Sequence, residues 1–169
     1  TLSYFQMKDK TVVSSQNMKI DGVLDENNWS NVEGFDYKYS VDNNFDISVS
    51  SKSVFTDEGL YVGIEVLDPY IYYASTNVRS IGLNSGLELY LAPYGTDKID
   101  ENCYQIRLTS TNESARYKGA PSLDYPWNQE YFPMQSQTTI QGTLNSEDVS
   151  GNVGYTAELF FPWSIFGLN

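Results

Sequence analysis

VFTDEGLYVGIEVLD, residues 54–68, decides the fold. Leu60, Val62, Ile64 and Val66 alternate with Tyr61, Gly63, Glu65 and Leu67. A period of two puts successive side chains on opposite faces, the mark of a strand rather than a helix. Asp68-Pro69 ends the run, because proline lacks a ladder donor and restricts the residue before it. SGLELYLAP (85–93) reads the same way, with Leu87, Leu89 and Leu91 on one face and Glu88 and Tyr90 on the other. So does GYTAELFFPWSIFG (154–167), where Tyr155, Ala157, Leu159 and Phe161 share a face with Val153 just before the stretch.

Outward from these runs the alternation continues. Met18 and Ile20 are expected to open a first strand. Phe35, Tyr37, Tyr39 and Val41 mark a second, and Phe45, Ile47 and Val49 a third that runs to about Phe55. Tyr104, Ile106 and Leu108 alternate with Gln105, Arg107 and Thr109. Short strands between Gly, Asn, Asp and Pro predict an all-β fold, an antiparallel two-sheet β-sandwich of jelly-roll or immunoglobulin-like type. The one expected helical turn covers 24–30, with Asp25 as its cap and Trp29 as its anchor. Residues 70–84 and 118–135 read as long loops. The first holds Tyr70, Tyr72 and Tyr73. The second holds Pro121, Pro126 and Pro133 around Tyr125, Trp127, Tyr131 and Phe132, and proline excludes a central strand. Binding groups concentrate on such loops.

Composition narrows the function. A chain of 169 residues fits a single domain, 1–169, with a core that needs no staples. No apolar run is long enough to span a bilayer as a helix, so no membrane insertion is expected. The chain opens at Thr1 without a signal peptide, as expected of a segment cut from a longer secreted protein. Net charge is −12 with no basic cluster, which makes nucleic acid and anionic membranes poor partners. There is no histidine, which removes Ser–His and Cys–His catalysis and most zinc chemistry. The lone Cys103 reads as a structural thiol. The 22 acidic residues leave carboxylate catalysis open in principle, but no pair stands out, and we read the chain as a non-enzyme.

Four stretches in order carry a resemblance. They are Ile20, Asp21, Gly22 and Trp29; Leu60, Tyr61, Val62 and Asp68; Glu88 and Pro93; and Phe161, Pro162 and Trp163. Together they resemble a carbohydrate-binding module of family 9. That resemblance implies a two-sheet sandwich that binds a carbohydrate ligand, often as an appendage of a secreted glycoside hydrolase. It therefore implies covalently linked neighbouring domains and an extracellular or cell-surface location. It also implies bound calcium in some members. The chain departs from the family pattern at Ser85 and Gly86, where the family often has Asp, and it ends soon after Phe161-Pro162-Trp163. Sugar-binding members stack a ring between two loop tryptophans. Trp29 and Trp163 sit in framework motifs here, which leaves Trp127 and requires tyrosine as the second wall.

The candidate sugar-binding residues follow. Trp127 and Tyr125, beside Asn128 and Gln129, form one aromatic wall, and Tyr72 and Tyr73 the other. Gln105 and Arg107 lie two apart and share a strand face. Arg107 and Arg116 supply forked donors suited to neighbouring hydroxyls. Asp21, Asp25, Asp57, Asp68 and Glu88 are candidate calcium ligands, although aspartate at strand ends more often builds turns. Two other readings compete. One is a protein-interaction module without sugar affinity, which the 14 tyrosines fit equally well. The other is a haem-binding sandwich using Met7, Met18 or Met134, in which no histidine is available as partner.

Overall fold

The computed structural model describes residues 12–40, 46–74 and 83–168. Two antiparallel sheets form a β-sandwich. The first sheet has the order β1-β2-β3-β9-β8, the second β4-β5-β6-β7. The strands of the first are β1 (Phe35–Ser40), β2 (Asp46–Phe55), β3 (Gly59–Leu67), β8 (Gln135–Gln141) and β9 (Gly154–Pro162). Those of the second are β4 (Gly86–Leu91), β5 (Tyr104–Thr109), β6 (Ser114–Gly119) and β7 (Trp127–Gln129). Val41 and Phe45 lie outside the described residues.

The alternation read from the sequence sets the core. Leu60, Val62, Ile64 and Val66 of β3 and Tyr155, Ala157, Leu159 and Phe161 of β9 face Tyr104, Ile106 and Leu108 of β5. Leu87, Leu89 and Leu91 of β4 pack against the same core. A 3-10 turn, Trp163–Phe166, closes one end, with Phe166 buried and the Tyr104 hydroxyl donating to the Ile165 carbonyl.

The N-terminal segment departs from expectation. Met18 and Ile20 form no strand. They pack with Trp29, Val54, Tyr61 and Phe160 on the outer face of the first sheet. The backbone there is held by a side chain instead of a ladder. Glu158 of β9, fully buried, accepts from the amides of Asp21 at 2.9 Å and Gly22 at 2.8 Å and from the Trp29 indole N–H at 3.2 Å. The helical turn α1 spans Asn27–Ser30, and its N-cap is Glu26, not Asp25; no side chain caps it. Glu26 Oε2 instead accepts from the Trp29 indole at 3.0 Å. Gly63 makes room for this segment, since a Cβ there would lie 2.7 Å from Leu24 Cδ2.

Burial pushes the Glu158 carboxyl above the ordinary range, and the amides of Gly22 and Asp21 partly oppose the shift. The folded state thus holds this proton more tightly than the unfolded chain. The contribution of Glu158 to stability is full below the ordinary carboxyl pKa, about 4.3, and declines as pH rises through the raised folded value. We expect Glu158→Ala to cost about 3 kcal/mol in urea unfolding, because it orphans the buried Gly22 amide and removes the bonds to the Asp21 amide and the Trp29 indole. The gap between wild type and variant should be widest in acid and should narrow towards neutral pH.

Candidate functional site

The outer face of the second sheet concentrates hydrogen-bonding side chains. Glu88, Arg107 and Ala115 stand in register across β4, β5 and β6. Tyr90, Gln105, Tyr117 and Gln129 form the next row, which reaches β7. Gly119 opposite Trp127 adds a third position. Alternation along β4 and β5 puts Glu88, Tyr90, Gln105 and Arg107 on this face, with Leu87, Leu89, Leu91, Ile106 and Leu108 on the other.

The two rows are tied together. Arg107 Nε lies 3.0 Å from Glu88 Oε1, although its N–H is not aligned on that oxygen. Arg107 Nη2 donates to the Tyr125 hydroxyl at 3.1 Å, and the guanidinium covers the Tyr117 ring at 5.2 Å. Gln105 Nε2 donates to the Tyr90 hydroxyl at 3.0 Å and to Glu88 Oε2 at 3.2 Å. Tyr90 in turn donates to Glu88 Oε2 at 2.6 Å. Its phenol is pushed up to about 12 by burial first, then by the Glu88 carboxylate. It stays a donor at any physiological pH. Gln105 is 1% exposed, and its Oε1 has no hydrogen-bond partner. Tyr90 and Tyr125 remain half exposed, so the cluster has two tyrosines open to solvent.

Trp127 does not stand in a loop. It opens β7, an edge strand, and is 9% exposed. It packs against Cys103, Ala115 and Tyr117, with its ring 5.7 Å from that of Tyr90. Proline at 121 and 126 precedes this strand without entering it, which is how an edge tolerates nearby proline. The expected thiol role of Cys103 agrees with its place in this cluster. Trp127 therefore supports the sheet face from the side, and Tyr90 and Tyr125 offer the open rings.

Other candidates lie elsewhere. Tyr72 and Tyr73 sit at the opposite end of the sheet, where the Tyr72 carbonyl accepts from the Ser85 amide and the Tyr72 N–H donates to the Ser85 hydroxyl just before β4. The Tyr73 hydroxyl donates to Glu113, and Asn145 pins its backbone. They do not face Trp127 as a second wall. Arg116 points to the other side of β6 from Arg107, because the two strands pair it with core residue Ile106. It donates to the Phe132 carbonyl and lies 5.0 Å over the Tyr131 ring. Tyr90 and Glu88 are the functional candidates that alternation could have joined to Gln105 and Arg107, since each pair lies on the strand face opposite the core residues of its own strand.

The five proposed calcium ligands do not converge. Asp21, Asp57 and Asp68 each accept from a nearby backbone amide, those of Val23, Ser15 and Tyr70. Those bonds hold the Asp57 carboxyl below its usual range, whereas burial raises that of Asp68. Asp25 lies in an exposed turn and Glu88 is committed to Arg107. Among the described residues no three Asp, Glu or Cys side chains gather as a metal would require. The turn-forming role fits Asp21 and Asp68, whereas Asp57 ties the N-terminal segment to the turn between β2 and β3. Met18 and Met134 belong to separate clusters on opposite sides of the first sheet, and Met7 lies outside the described residues.

Comparison with solved structures gives matches of the same architecture. One is a family 9 carbohydrate-binding module from Caldicellulosiruptor kristjanssonii, in complex with cellotriose. It superposes with a TM-score of 0.61 at 18% identity, over 91% of this chain and 67% of the other. The fold is family-9-like. A Bacteroides uniformis protein named as a carbohydrate-binding candidate matches at a TM-score of 0.54 and 13% identity, over 80% of this chain and 62% of its own. The chain thus spans about two thirds of each neighbour's length. No family model and no curated protein matches the sequence. The family-9-like sandwich agrees with the resemblance read from the ordered motifs, and at these identities the likeness concerns the fold.

The Glu88–Arg107 pair is half-buried, with side-chain exposures of 36% and 18%. It falls between a surface pair, worth 0–1 kcal/mol, and a buried one. Glu88→Ala and Arg107→Ala should each cost about 1–2 kcal/mol in urea unfolding. The double variant should cost clearly less than the sum, because the two side chains lose the same contact.

Proposed function

We propose that this chain is a non-catalytic carbohydrate-binding module whose ligand lies on the outer face of the second sheet. One observation carries the reading: Glu88, Tyr90, Gln105 and Arg107 form a hydrogen-bonded cluster flanked by the half-exposed rings of Tyr90 and Tyr125. A sugar ring has apolar faces and a polar rim, so it needs a flat ring to cover and in-plane donors and acceptors beside it. Arg107 is fixed by Glu88, Tyr117 and Tyr125, so its free N–H groups are oriented before a ligand arrives, which lowers the entropic cost of binding. Both structural neighbours named for carbohydrate binding support the class of ligand.

Arg107 is paired with Glu88 and the whole chain carries −12, which favours a neutral saccharide over an anionic one. We place the module outside the cell or on its surface, joined to further domains and serving to hold them at a polysaccharide. Nothing in the cluster pairs two free carboxylates across a cleft, so we assign no hydrolysis to this chain.

A second reading has one observation of its own. Phe35, Tyr37 and Tyr39 of edge strand β1 lie on one face and are all exposed. Such a stripe suits a protein partner.

Titration against soluble neutral oligosaccharides, read by calorimetry, separates the two. At least one should bind, and Tyr125→Ala should weaken it about tenfold through lost ring coverage. Arg107→Ala should weaken it roughly tenfold to a hundredfold, the range for hydrogen bonds to a charged group. Uniform silence across the panel would move the assignment to the interaction module.

A further inference from the structure

A cleft of about 490 Å³ opens on the other side of the sandwich, on the outer face of the first sheet. Its floor is one row of polar side chains. Ser50, Glu65, Thr156 and Thr139 are paired in register across β2, β3, β9 and β8. Neighbouring strands stand about 4.8 Å apart, so the row is roughly 14 Å long. Its wall is the segment from Val23 to Trp29, which rises beside the row because Leu24 and Trp29 occupy the space above Gly63.

That wall is fixed before any ligand binds. Lys52 Nζ donates to the Trp29 carbonyl at 2.8 Å. Thr156 Oγ1 donates to the Gly22 carbonyl, and Glu158 holds the amides of Asp21 and Gly22. By contrast, the side chains of Ser50, Glu65 and Gln141, which line the floor, have no hydrogen bond or ion pair among the described residues. A pre-formed cleft of this volume is in the range of small-molecule sites, and its placed polar groups would fix a ligand's orientation. Among the described residues the lining holds three carboxylates, Asp25, Glu26 and Glu65, and one ammonium, that of Lys52. An anion is repelled there, and every floor side chain can accept a hydrogen bond. The half-exposed Val23 adds an apolar flank.

We propose that this cleft is a second saccharide site, taking a neutral unit whose hydroxyls donate to Glu65, Ser50 and Gln141. The inference extends the carbohydrate-binding reading but does not depend on the residues of the first face. The two faces look away from each other across both sheets, about 10 Å apart between strand layers. One sugar ring cannot occupy both. The module is therefore bivalent and able to hold two chains, or two stretches of one chain, at once.

The test is amide NMR on Arg107→Ala protein, in which the first face is impaired. It is titrated with cellotriose, xylotriose, mannotriose, maltotriose and laminaritriose to millimolar concentration. At least one should shift the amides of Glu65, Thr156 and Gln141 saturably. Glu65→Ala should weaken that response about tenfold, and Ser50→Trp, which fills the floor, should abolish it. If no trisaccharide moves these amides, or if the shifts survive Ser50→Trp, the second site is refuted. Shifts in wild type confined to Glu88, Tyr90 and Gln105 would refute it while leaving the first face intact. Shifts confined to the cleft would do the reverse.

Discussion

The carboxylate of Glu158 is the contact on which the first sheet depends. It stands on the outer face of β9, where alternation would ordinarily put a solvated residue, yet it is completely buried. It can be so because it replaces water with two amides and an indole N–H. A buried charge without such partners would be prohibitive. The consequence is structural: the segment around Trp29 becomes a third layer, and β3 and β9 are covered on both sides. That explains why β3 is buried at Tyr61 and Gly63 as well as at the leucine-valine positions. The cleft on this face inherits its wall from the same carboxylate.

The second sheet solves the opposite problem. No layer covers its outer face, yet Gln105 is 1% exposed and Arg107 is half-buried. Their cover is built from within the sheet. Trp127 packs beside them, next to Gly119, and the 97–103 turn folds so close over Gly119 that a Cβ there would lie 1.8 Å from the Asp100 carbonyl. Tyr117 lies under Arg107. Most of the polar atoms here thereby gain low exposure without losing their partners, Gln105 Oε1 and Arg107 Nε excepted. A hydrogen bond made at such a place competes less with water than one at an open surface.

How much of this was legible follows from where the energy lies. The strands with one apolar face, β2, β3, β4, β5 and β9, were readable because burial enforces alternation. β8, QSQTTIQ, and β6, SARYKG, were not, since neither carries a row of large apolar side chains, whereas edge strand β1 was readable from Phe35, Tyr37 and Tyr39. The Met18–Ile20 segment failed differently. Its apolar residues do bury, but a side-chain carboxylate satisfies its backbone, so the pattern was right and the implied ladder wrong. The site was half legible. The shared face of Gln105 and Arg107 came from spacing alone. The roles of Trp127 and Arg116 did not, because register decides which way each side chain points and register is set by pairings distant in sequence.

The tyrosines sharpen the physical character of the first face. Tryptophan offers the larger stacking surface, and here the indole of Trp127 is spent on the fold. A phenol covers less area, so each ring contributes less by area alone. It brings a hydroxyl in exchange. Tyr90 and Tyr125 use theirs to orient Glu88 and Arg107, so the same residues that cover a ligand also hold the groups that would hydrogen-bond it. Stacking and hydrogen bonding on this face are therefore coupled. Loss of one tyrosine loosens a charge pair as well as a platform, which sets this surface apart from one built of independent tryptophan walls.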